Sequence, residues 1–194
     1  MIEYNYNHIQ KLICTAKIQY NRKNENISLL AVSKKQPLTA IKEAYNLGQL
    51  DFGENFVQEG LEKIKKLNNE NINWHFIGHI QSNKTRLISE NFDWVHTVDR
   101  IKIAERLSKQ RPNQANNLNV CIQVNVDDEK TKSGVDIKNV YDLCYAIDEL
   151  PNLNLRGLMC LPMTRSDHEQ QRQPFKVLKK LYEDLNKELS LIHI

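Results

Sequence analysis

The sequence predicts an α/β protein whose parallel strands form an incomplete (β/α)8 barrel of the TIM type. Short apolar runs alternate with amphipathic segments in six βα units that follow one leading helical pattern. Such alternation predicts right-handed crossovers between parallel strands, which leaves a doubly wound sheet or a barrel. No glycine-rich nucleotide-binding motif follows a predicted strand, and this weakens the doubly wound alternative. Because a complete barrel needs eight strands and about 250 residues, we expect residues 1–194 to form one domain without the last two strands.

The individual elements are predicted from changes in hydrophobic period along the chain. Apolar side chains recur every three or four residues between Tyr6 and Tyr20, which indicates the leading helix. The predicted strands, in order, are Leu29–Ser33, Leu50–Gly53, Trp74–Gly78, Trp94–Val98, Val120–Val126 and Leu155–Leu161. The final helix is long, and its apolar face is predicted to carry Phe175, Leu178, Leu181, Leu185 and Leu189.

Several helix ends are marked by residue types that favour such positions. Pro37 opens the helix after the first strand, and Gly48 comes directly after that helix. Asp99 and Asp136 each precede a later helical pattern, and we expect their carboxylates to cap those helices. These signals place each helix between two strands, as the barrel requires.

Composition excludes several classes of protein. The net charge of +3 is spread among acidic residues, so no nucleic-acid-binding surface is indicated. The densest basic runs, Lys63–Lys66 and Lys176–Lys180, are predicted to be solvated helix faces. No apolar stretch approaches the ~20 residues that span a membrane, and the N-terminus lacks the apolar core of a signal peptide. We therefore expect a cytoplasmic protein that binds neither nucleic acid nor membrane.

The cysteines indicate neither a disulfide framework nor a zinc site. Cys14, Cys121, Cys144 and Cys160 show no spacing typical of metal ligands. Cys121 and Cys160 lie within predicted apolar strands, where a cysteine behaves as a small hydrophobic residue. We expect four free thiols.

Lys34 is the most informative single residue. The first predicted strand, Leu29–Ser33, is short and apolar, and we expect it to be buried in a parallel sheet. Lys34 follows at its carboxyl end, where α/β folds bind ligands and place catalytic groups. A partly desolvated lysine with a lowered pKa is what Schiff-base chemistry with a carbonyl cofactor needs. The alternative is a surface lysine in a loop, which is what we expect of the neighbouring Lys35.

Polar and small residues also follow the other predicted strands. These segments are Phe52–Asn55, Gly78–Lys84, Asp127–Gly134 and Met159–Met163. Together they offer amides, small residues and a thioether, which suit the binding of a flat polar ring. We find no Ser/His/Asp arrangement, no paired carboxylates on facing strands and no metal-binding pattern.

These segments resemble the YggS/PROSC family, the pyridoxal 5′-phosphate homeostasis proteins. The similarity follows the family's order and spacing over nearly the whole chain, and several motifs in register are far more specific than one. The matching stretches are Leu30–Lys34, Phe52–Asn55, Val57–Glu59, Trp74–Lys84, Lys132–Gly134 and Leu155–Met159.

The resemblance implies a barrel of the alanine racemase N-terminal type that holds pyridoxal 5′-phosphate as an internal aldimine on Lys34. It further implies that Asn55 and Met159 lie beside the cofactor and that Val32 lines the pocket under it. His79 lies in the third loop, where it either contacts the cofactor or orders the loop.

Two further expectations concern loop order and the core. Glu129, Lys132 and Gly134 are expected to order the fifth loop, Gly134 by adopting a positive φ. His75 lies mid-strand, and we expect a core histidine with a satisfied ring rather than a ligand.

The resemblance stops at the C-terminus of the sequence. Family members continue into a seventh and an eighth strand that supply most of the phosphate cup and an arginine near the pyridine nitrogen. Ile192–Ile194 ends the chain before these strands, so we expect a truncated member with weaker cofactor binding.

The implied function is non-catalytic. The protein would hold the cofactor, hand it to enzymes that depend on it, and so take part in vitamin B6 and amino-acid homeostasis. The family implies a monomer, with association through exposed sheet edges as the alternative. Two rival functions remain: a racemase-like enzyme on the same barrel, and an interaction protein that no longer binds the cofactor tightly.

Overall fold

Two compact units make up the described part of the chain. The computed structural model describes residues 1–68, 71–127 and 133–189. The first unit comprises residues 1–74 and the second residues 75–194. Both units alternate helices with parallel strands, as the sequence predicts.

The first unit contains three helices and the strands that separate them. Strand β1 (Ala31–Val32) is parallel to β2 (Asp51–Glu54), with Ala31 opposite Phe52 and Val32 opposite Gly53. Helix α1 spans Ile2–Gln19, α2 spans Leu38–Asn46 and α3 spans Val57–Lys66, and strand β3 (Asn73–Phe76) begins in this unit. The Asn73 N–H donates to the Leu50 carbonyl at 2.9 Å, which ties the start of β3 to the residue before β2.

The second unit is built on a longer parallel sheet. Its strands after β3 are β4 (Trp94–Val98), β5 (Leu118–Asn125), β6 (Val135–Asp136) and β7 (Leu153–Met159). Strand β4 pairs with β3 and β5, and β5 also pairs with β6 and, along most of its length, with β7. The helices are α4 (Thr85–Asn91), α5 (Ile101–Gln110), α6 (Val140–Asp148) and α7 (His168–Leu189), and single 3-10 turns at Ser82–Lys84 and Ile137–Asn139 precede α4 and α6.

The core of the second unit lies between this sheet and the helices. Its fully buried side chains, from α4, α5 and strands β4 and β5, include Ile88, Val95, Ile103, Leu107, Leu118 and Ile122. Each such side chain contributes about 1.5–3 kcal/mol by leaving water. Leu181 and Leu185 of α7 are also buried, whereas Phe175, expected on the same apolar face, is 55% exposed.

Strand β1 is shorter and less buried than the sequence predicts. Only two of the five residues of the predicted strand Leu29–Ser33 are in strand conformation. Side chains alternate between the two faces of a strand, so Ser33 is buried while Val32 is 49% exposed. The residues Leu29–Ala31 are of intermediate burial, so the prediction of a buried strand was wrong.

The helix-cap predictions were partly wrong. Gly48 follows α2 with a φ of +96°, as expected of a glycine after a helix. Asp99 does not cap α5, because Arg100 occupies the N-cap position, and the Asp99 carboxylate pairs with the Arg100 guanidinium at 2.5 Å. Asp136 precedes the 3-10 turn before α6 without a side-chain cap hydrogen bond, and it ends β6, which the sequence did not predict.

The cysteines are free thiols in the described part of the chain. Burial raises the pKa of Cys121 in β5 to about 12. Cys160 lies after β7 and not within a strand as predicted, because β7 ends at Met159. Among the described residues, no cluster of His, Cys, Asp and Glu could hold a metal ion, and no helix could cross a membrane.

Candidate functional site

Lys34 lies where the sequence predicts, immediately past the carboxyl end of β1. The Ser33 N–H donates to the Gly53 carbonyl at 2.9 Å, so the pairing of β1 with β2 continues to the residue before Lys34. The Lys34 side chain is exposed, which differs from the partly desolvated lysine that we expected. The first unit therefore presents this amine to solvent, where it is accessible to a dissolved ligand.

Strand register places Asn55 beside Lys34. Since Val32 is opposite Gly53, Lys34 and Asn55 each lie two residues beyond that last matched pair. Neighbouring strands are about 4.8 Å apart, which brings these two positions to the same edge of the sheet. The Asn55 Oδ1 atom is buried and has no hydrogen-bond partner. Val32, Lys34 and Asn55 are thus brought together by β1 and β2.

A buried ion-pair cluster adjoins this edge of the sheet. Lys63 of α3 is only 6% exposed, and its Nζ donates to Ser33 O, Glu54 Oε1 and Glu59 Oε1, each at 2.7 Å. Ser33 Oγ also donates to Glu54 Oε1, at 2.6 Å. We call Ser33, Glu54, Glu59 and Lys63 the Lys63 cluster. The prediction that Lys63 belongs to a solvated basic face was wrong, because these acceptors satisfy its charge inside the protein.

The cluster carries more negative than positive charge. It holds two carboxylates and one ammonium, and Glu54 is fully buried. The hydrogen bond from Lys63 is the main cause that lowers the pKa of Glu59, and the Lys35 N–H adds to it. Buried charges of this kind are tolerated only when they are paired. The Lys63 ammonium is therefore required to keep both acids at this edge of the sheet.

Two features of the sequence could have identified Lys63. It lies four residues after Glu59, the spacing of a helical ion pair. It also lies three residues after Gly60 and four before Leu67, and both of those residues are buried. Lys63 is thus on the inner stripe of α3, whereas the basic run around it is exposed at Lys65 and Lys66. Its partner Glu54 belongs to strand β2, and no pattern within helix α3 predicts that contact.

The second unit contains the other two predicted site residues. Met159 is the last residue of β7, is half-buried and lies opposite Gln123 of β5. His79 follows β3 and is exposed, and its Nδ1 lies 3.4 Å from Ser133 Oγ. This contact links the segment after β3 to the residue before Gly134, and the role of His79, at the cofactor or in loop order, stays a prediction.

The fifth loop is constrained at Gly134. This residue has a φ of +128°, as predicted, and a Cβ there would lie 2.7 Å from the Asn125 backbone nitrogen. Only glycine fits such a close approach of two backbone segments. Glu129 and Lys132, which we also expected to order this loop, lie outside the described residues.

Asp127 links the fifth loop to the segment after β7. One of its carboxylate oxygens accepts from the Met163 N–H at 2.6 Å, and the other accepts from the Arg165 guanidinium at 2.5 Å. The Asp127 side chain is 3% exposed and that of Arg165 is 23% exposed, so this is a partly buried ion pair. It ties Asp127, just past the carboxyl end of β5, to the segment that follows β7.

Comparison with known proteins identifies the family. The model of the alanine racemase N-terminal domain matches residues 4–194. A pyridoxal phosphate homeostasis protein of Haemophilus influenzae is 48% identical over 190 residues, which cover 97% of this chain and 80% of the relative. The proteins of the same name from Escherichia coli and Pseudomonas aeruginosa are 46% and 52% identical, over 93% and 82% of this chain and 77% and 70% of the relatives.

Solved structures show the same fold. PipY of Synechococcus elongatus without pyridoxal 5′-phosphate (PLP) has a TM-score of 0.81 and 30% identity, covering 92% of this chain and 85% of that one. PipY with PLP bound has a TM-score of 0.78 and 29% identity, covering 92% and 84%. An alanine racemase of Clostridium difficile shares the fold at 14% identity, with a TM-score of 0.77, over 97% of this chain and 47% of its own. The chain therefore belongs to the pyridoxal phosphate homeostasis protein family, which has the alanine racemase N-terminal fold.

Proposed function

We propose that this protein binds pyridoxal 5′-phosphate through Lys34 and holds it for vitamin B6 homeostasis without catalysing a reaction of its own. The observation that carries the proposal is the exposed Lys34 amine, placed beside Asn55 at the carboxyl ends of β1 and β2. Family membership supports it, because the relatives are named for pyridoxal phosphate homeostasis and PipY was solved with PLP bound.

The residues of the first unit fit this cofactor. Bound pyridoxal 5′-phosphate supplies an aldehyde that condenses reversibly with a primary amine. Lys34 offers such an amine, and its exposure lets a dissolved ligand reach it. The Asn55 Oδ1 atom is buried without a partner, which is costly unless a ligand or water completes the hydrogen bond. An amide at this position can accept a hydrogen bond from a ring substituent or, after a flip, donate one.

The chain's own residues divide the work of binding. Lys34 would provide the nucleophilic Nζ, which holds the ligand covalently after water is released. Asn55 orients the ring through its amide, and the exposed Val32 side chain offers an apolar surface to the ring face. Met159 and His79 remain predicted contacts from the second unit, and a single substitution at each tests them separately. Hand-over to enzymes that use the cofactor and a monomeric state complete the proposal.

A racemase-like enzyme is the second candidate. It is favoured only by the shared fold with the Clostridium difficile alanine racemase, at 14% identity. One fold supports many functions, so such a likeness does not assign a reaction. The residues around Lys34 offer binding groups. We therefore prefer non-catalytic binding of the cofactor, called the holding function below, to a racemase-like activity.

A matched pair of lysine variants tests the assignment of Lys34. Lys34→Arg and Lys35→Arg each keep the positive charge and remove one primary amine. We expect added pyridoxal 5′-phosphate to give a visible absorption band that Lys34→Arg abolishes and Lys35→Arg leaves, because only the Lys34 amine lies at the strand end beside Asn55. Borohydride followed by peptide mapping should place the covalent adduct on Lys34.

The opposite distribution would overturn the assignment. An adduct mapped mainly to Lys35, or a band that persists in Lys34→Arg, would show that another amine carries the cofactor. No band in the unaltered chain at saturating cofactor would support the interaction protein instead.

A further inference from the structure

The turn that carries Lys34 has an unusual backbone. The Gln36 N–H donates to the Ser33 carbonyl at 3.0 Å, so Lys34 and Lys35 are the central residues of a β-turn. Lys35 has a φ of 60°, in the left-handed region where turns usually place glycine or asparagine. A side-chain-bearing residue stays in this conformation only where surrounding contacts hold it.

The Lys63 cluster supplies those contacts on both sides of Lys34. Lys63 Nζ donates to Ser33 O, the carbonyl of the peptide group before Lys34, at 2.7 Å. Glu59 Oε1 accepts from the Lys35 N–H, in the peptide group after Lys34, at 2.5 Å. The same Glu59 oxygen accepts from Lys63, which connects the two anchors. Both peptide groups that flank Lys34 are therefore fixed, and only its side-chain torsions remain adjustable.

We infer that Lys63 is a positioning residue for Lys34, which holds the turn so that the Lys34 amine leaves the sheet edge in one direction. This inference rests on the proposed function, in which Lys34 binds the cofactor. Binding and reactive groups need such support, because a misplacement of about 1 Å in a reacting group lowers rates by about a hundredfold.

The geometry distinguishes positioning from simple support of the fold. A lysine that only paired α3 with β2 would need Glu54 as its acceptor, with Glu59 on its own helix as a second one. Lys63 donates its remaining hydrogen to Ser33 O. The same oxygen accepts from the Gln36 N–H, the hydrogen bond that closes the Lys34 turn. With all three hydrogens engaged and 6% exposure, Lys63 is itself a poor nucleophile. The arrangement thus directs an incoming aldehyde to Lys34.

The test compares Lys63→Met with a control that weakens the same unit elsewhere. Lys63→Met keeps the length of the side chain and removes all three hydrogen bonds. Gln49→Met removes two hydrogen bonds of a buried amide, to Leu29 O and Asp51 O, without touching the Lys34 turn. Both variants are assayed at a temperature where circular dichroism shows them folded.

The first readout is the rate and position of cofactor attachment. For Lys63→Met we expect adduct formation at Lys34 to slow by about tenfold or more, and the share of adduct on Lys35 to rise. In Gln49→Met the rate of adduct formation and the lysine that carries the adduct should be the same as in the unaltered chain, because this substitution affects stability alone. Equal behaviour of the two variants would show that Lys63 only stabilises the fold, and the inference would be wrong.

Glu59→Leu is the second variant, in case Lys63→Met does not fold. It removes the acceptor of the Lys35 N–H but leaves Lys63 paired with Glu54 and Ser33 O. Glu59 is partly exposed, so the substitution is tolerable. We expect adduct formation at Lys34 to slow and the share of adduct on Lys35 to rise, as in Lys63→Met. An unchanged adduct pattern in this variant would count against the inference.

A ligand-free readout separates this inference from the proposed function. Trace acetylation by acetic anhydride, measured against pH, reports the reactivity of Lys34 relative to the exposed Lys42 of α2. We expect Lys63→Met and Glu59→Leu to change the Lys34 profile, and Gln49→Met to leave it unchanged. If the unaltered chain forms no cofactor adduct, the proposed function fails, while this profile still decides whether Lys63 positions Lys34.

Discussion

Lys34 and Lys63 carry the same ammonium group, yet the first unit gives them opposite environments. Lys34 is exposed, whereas Lys63 is 6% exposed and contacts three oxygen atoms at 2.7 Å. Burial of an ammonium group costs several kcal/mol unless its hydrogen bonds are satisfied. Lys63 must therefore keep its hydrogen bonds to these three acceptors. The difference in burial, and not in residue type, is the reason why we propose binding for Lys34 and support for Lys63.

A histidine pair on β3 and β4 shows a second effect of burial on a single residue. His75 is buried, and its Nδ1 lies 2.8 Å from His96 Nε2, so one ring donates and the other accepts. His75 also stacks on Trp94, with ring centroids 5.4 Å apart. It is thus the satisfied core histidine that the sequence predicts. Burial, and next the proximity of His75, lower the pKa of His96 to about 4.

The His96 pKa predicts a stability that depends on pH. The unfolded chain protonates this histidine near its ordinary pKa of 6.5, whereas the folded chain does so only near 4. Stability from His96 is therefore complete above pH 6.5 and declines as the pH falls from 6.5 towards 4, by at most about 3 kcal/mol. Urea unfolding at pH 7 and pH 5 measures this decline.

A non-titrating variant identifies the group responsible. His96→Gln keeps a hydrogen-bonding partner for His75 but cannot gain a proton, so the difference between the two pH values should shrink. His8→Gln, on the exposed face of α1, is the matched control and should leave the difference as it was. An equal pH dependence in His96→Gln and in the unaltered chain would contradict the assignment.

At the scale of elements, hydrophobic period predicted most of the strands and helices. The predicted strand Trp94–Val98 matches β4 in full, and the end of α2 before Gly48 follows from glycine chemistry. The errors have different causes. Asp99 is not a cap because α5 begins one residue later than predicted, with Arg100 at its N-cap position. The short strand β6 exists only because Val135 lies opposite Val124 of β5.

The candidate site was predictable in position but not in its support. The place of Lys34 follows from the end of an apolar run, and the place of Asn55 from the next strand. The exposure of Lys34 and the formation of the Lys63 cluster depend on how α3 packs against β2. A local sequence pattern does not predict such packing. The spacing from Glu59 to Lys63 indicates a helical ion pair, and the spacing from Gly60 and Leu67 indicates the inner stripe of α3, but neither local signal indicates a cluster with Glu54.

The loop after β5 depends on one glycine. Gly134→Ala places a Cβ 2.7 Å from the Asn125 nitrogen and 3.0 Å from the Val124 carbonyl carbon, at a φ of +128°. Gly48→Ala, also at positive φ, has no atom within 4 Å of the new Cβ and is the matched control. We expect both variants to lose about 1 kcal/mol from backbone strain and Gly134→Ala to lose more from the collision. Chemical denaturation compares them, and equal losses would show that the loop moves aside.

At the scale of the whole molecule, sequence similarity and fold similarity lead to different conclusions. Relatives at 46–52% identity match along most of the chain and share one name, which establishes the family. The alanine racemases share only the architecture, at 14–16% identity. Activity on amino acids therefore has to be judged from the groups that the described residues place around Lys34.

Racemisation needs a proton acceptor on each face of the substrate carbon. In the described part of the first unit, strand β2 contributes the Asn55 amide opposite Lys34, and an amide is not a base. Of the other nearby amines, Lys35 belongs to the same turn as Lys34, and Lys63 is buried with its three hydrogens engaged. General acid–base assistance contributes about 10²–10⁴ in rate, so we expect this chain with pyridoxal 5′-phosphate to racemise L-amino acids no faster than free cofactor does. Chiral chromatography of a panel of L-amino acids, with Lys34→Arg as the control for free cofactor, makes the measurement. Saturable racemisation that Lys34→Arg abolishes would establish an enzyme and replace the holding function proposed for this protein.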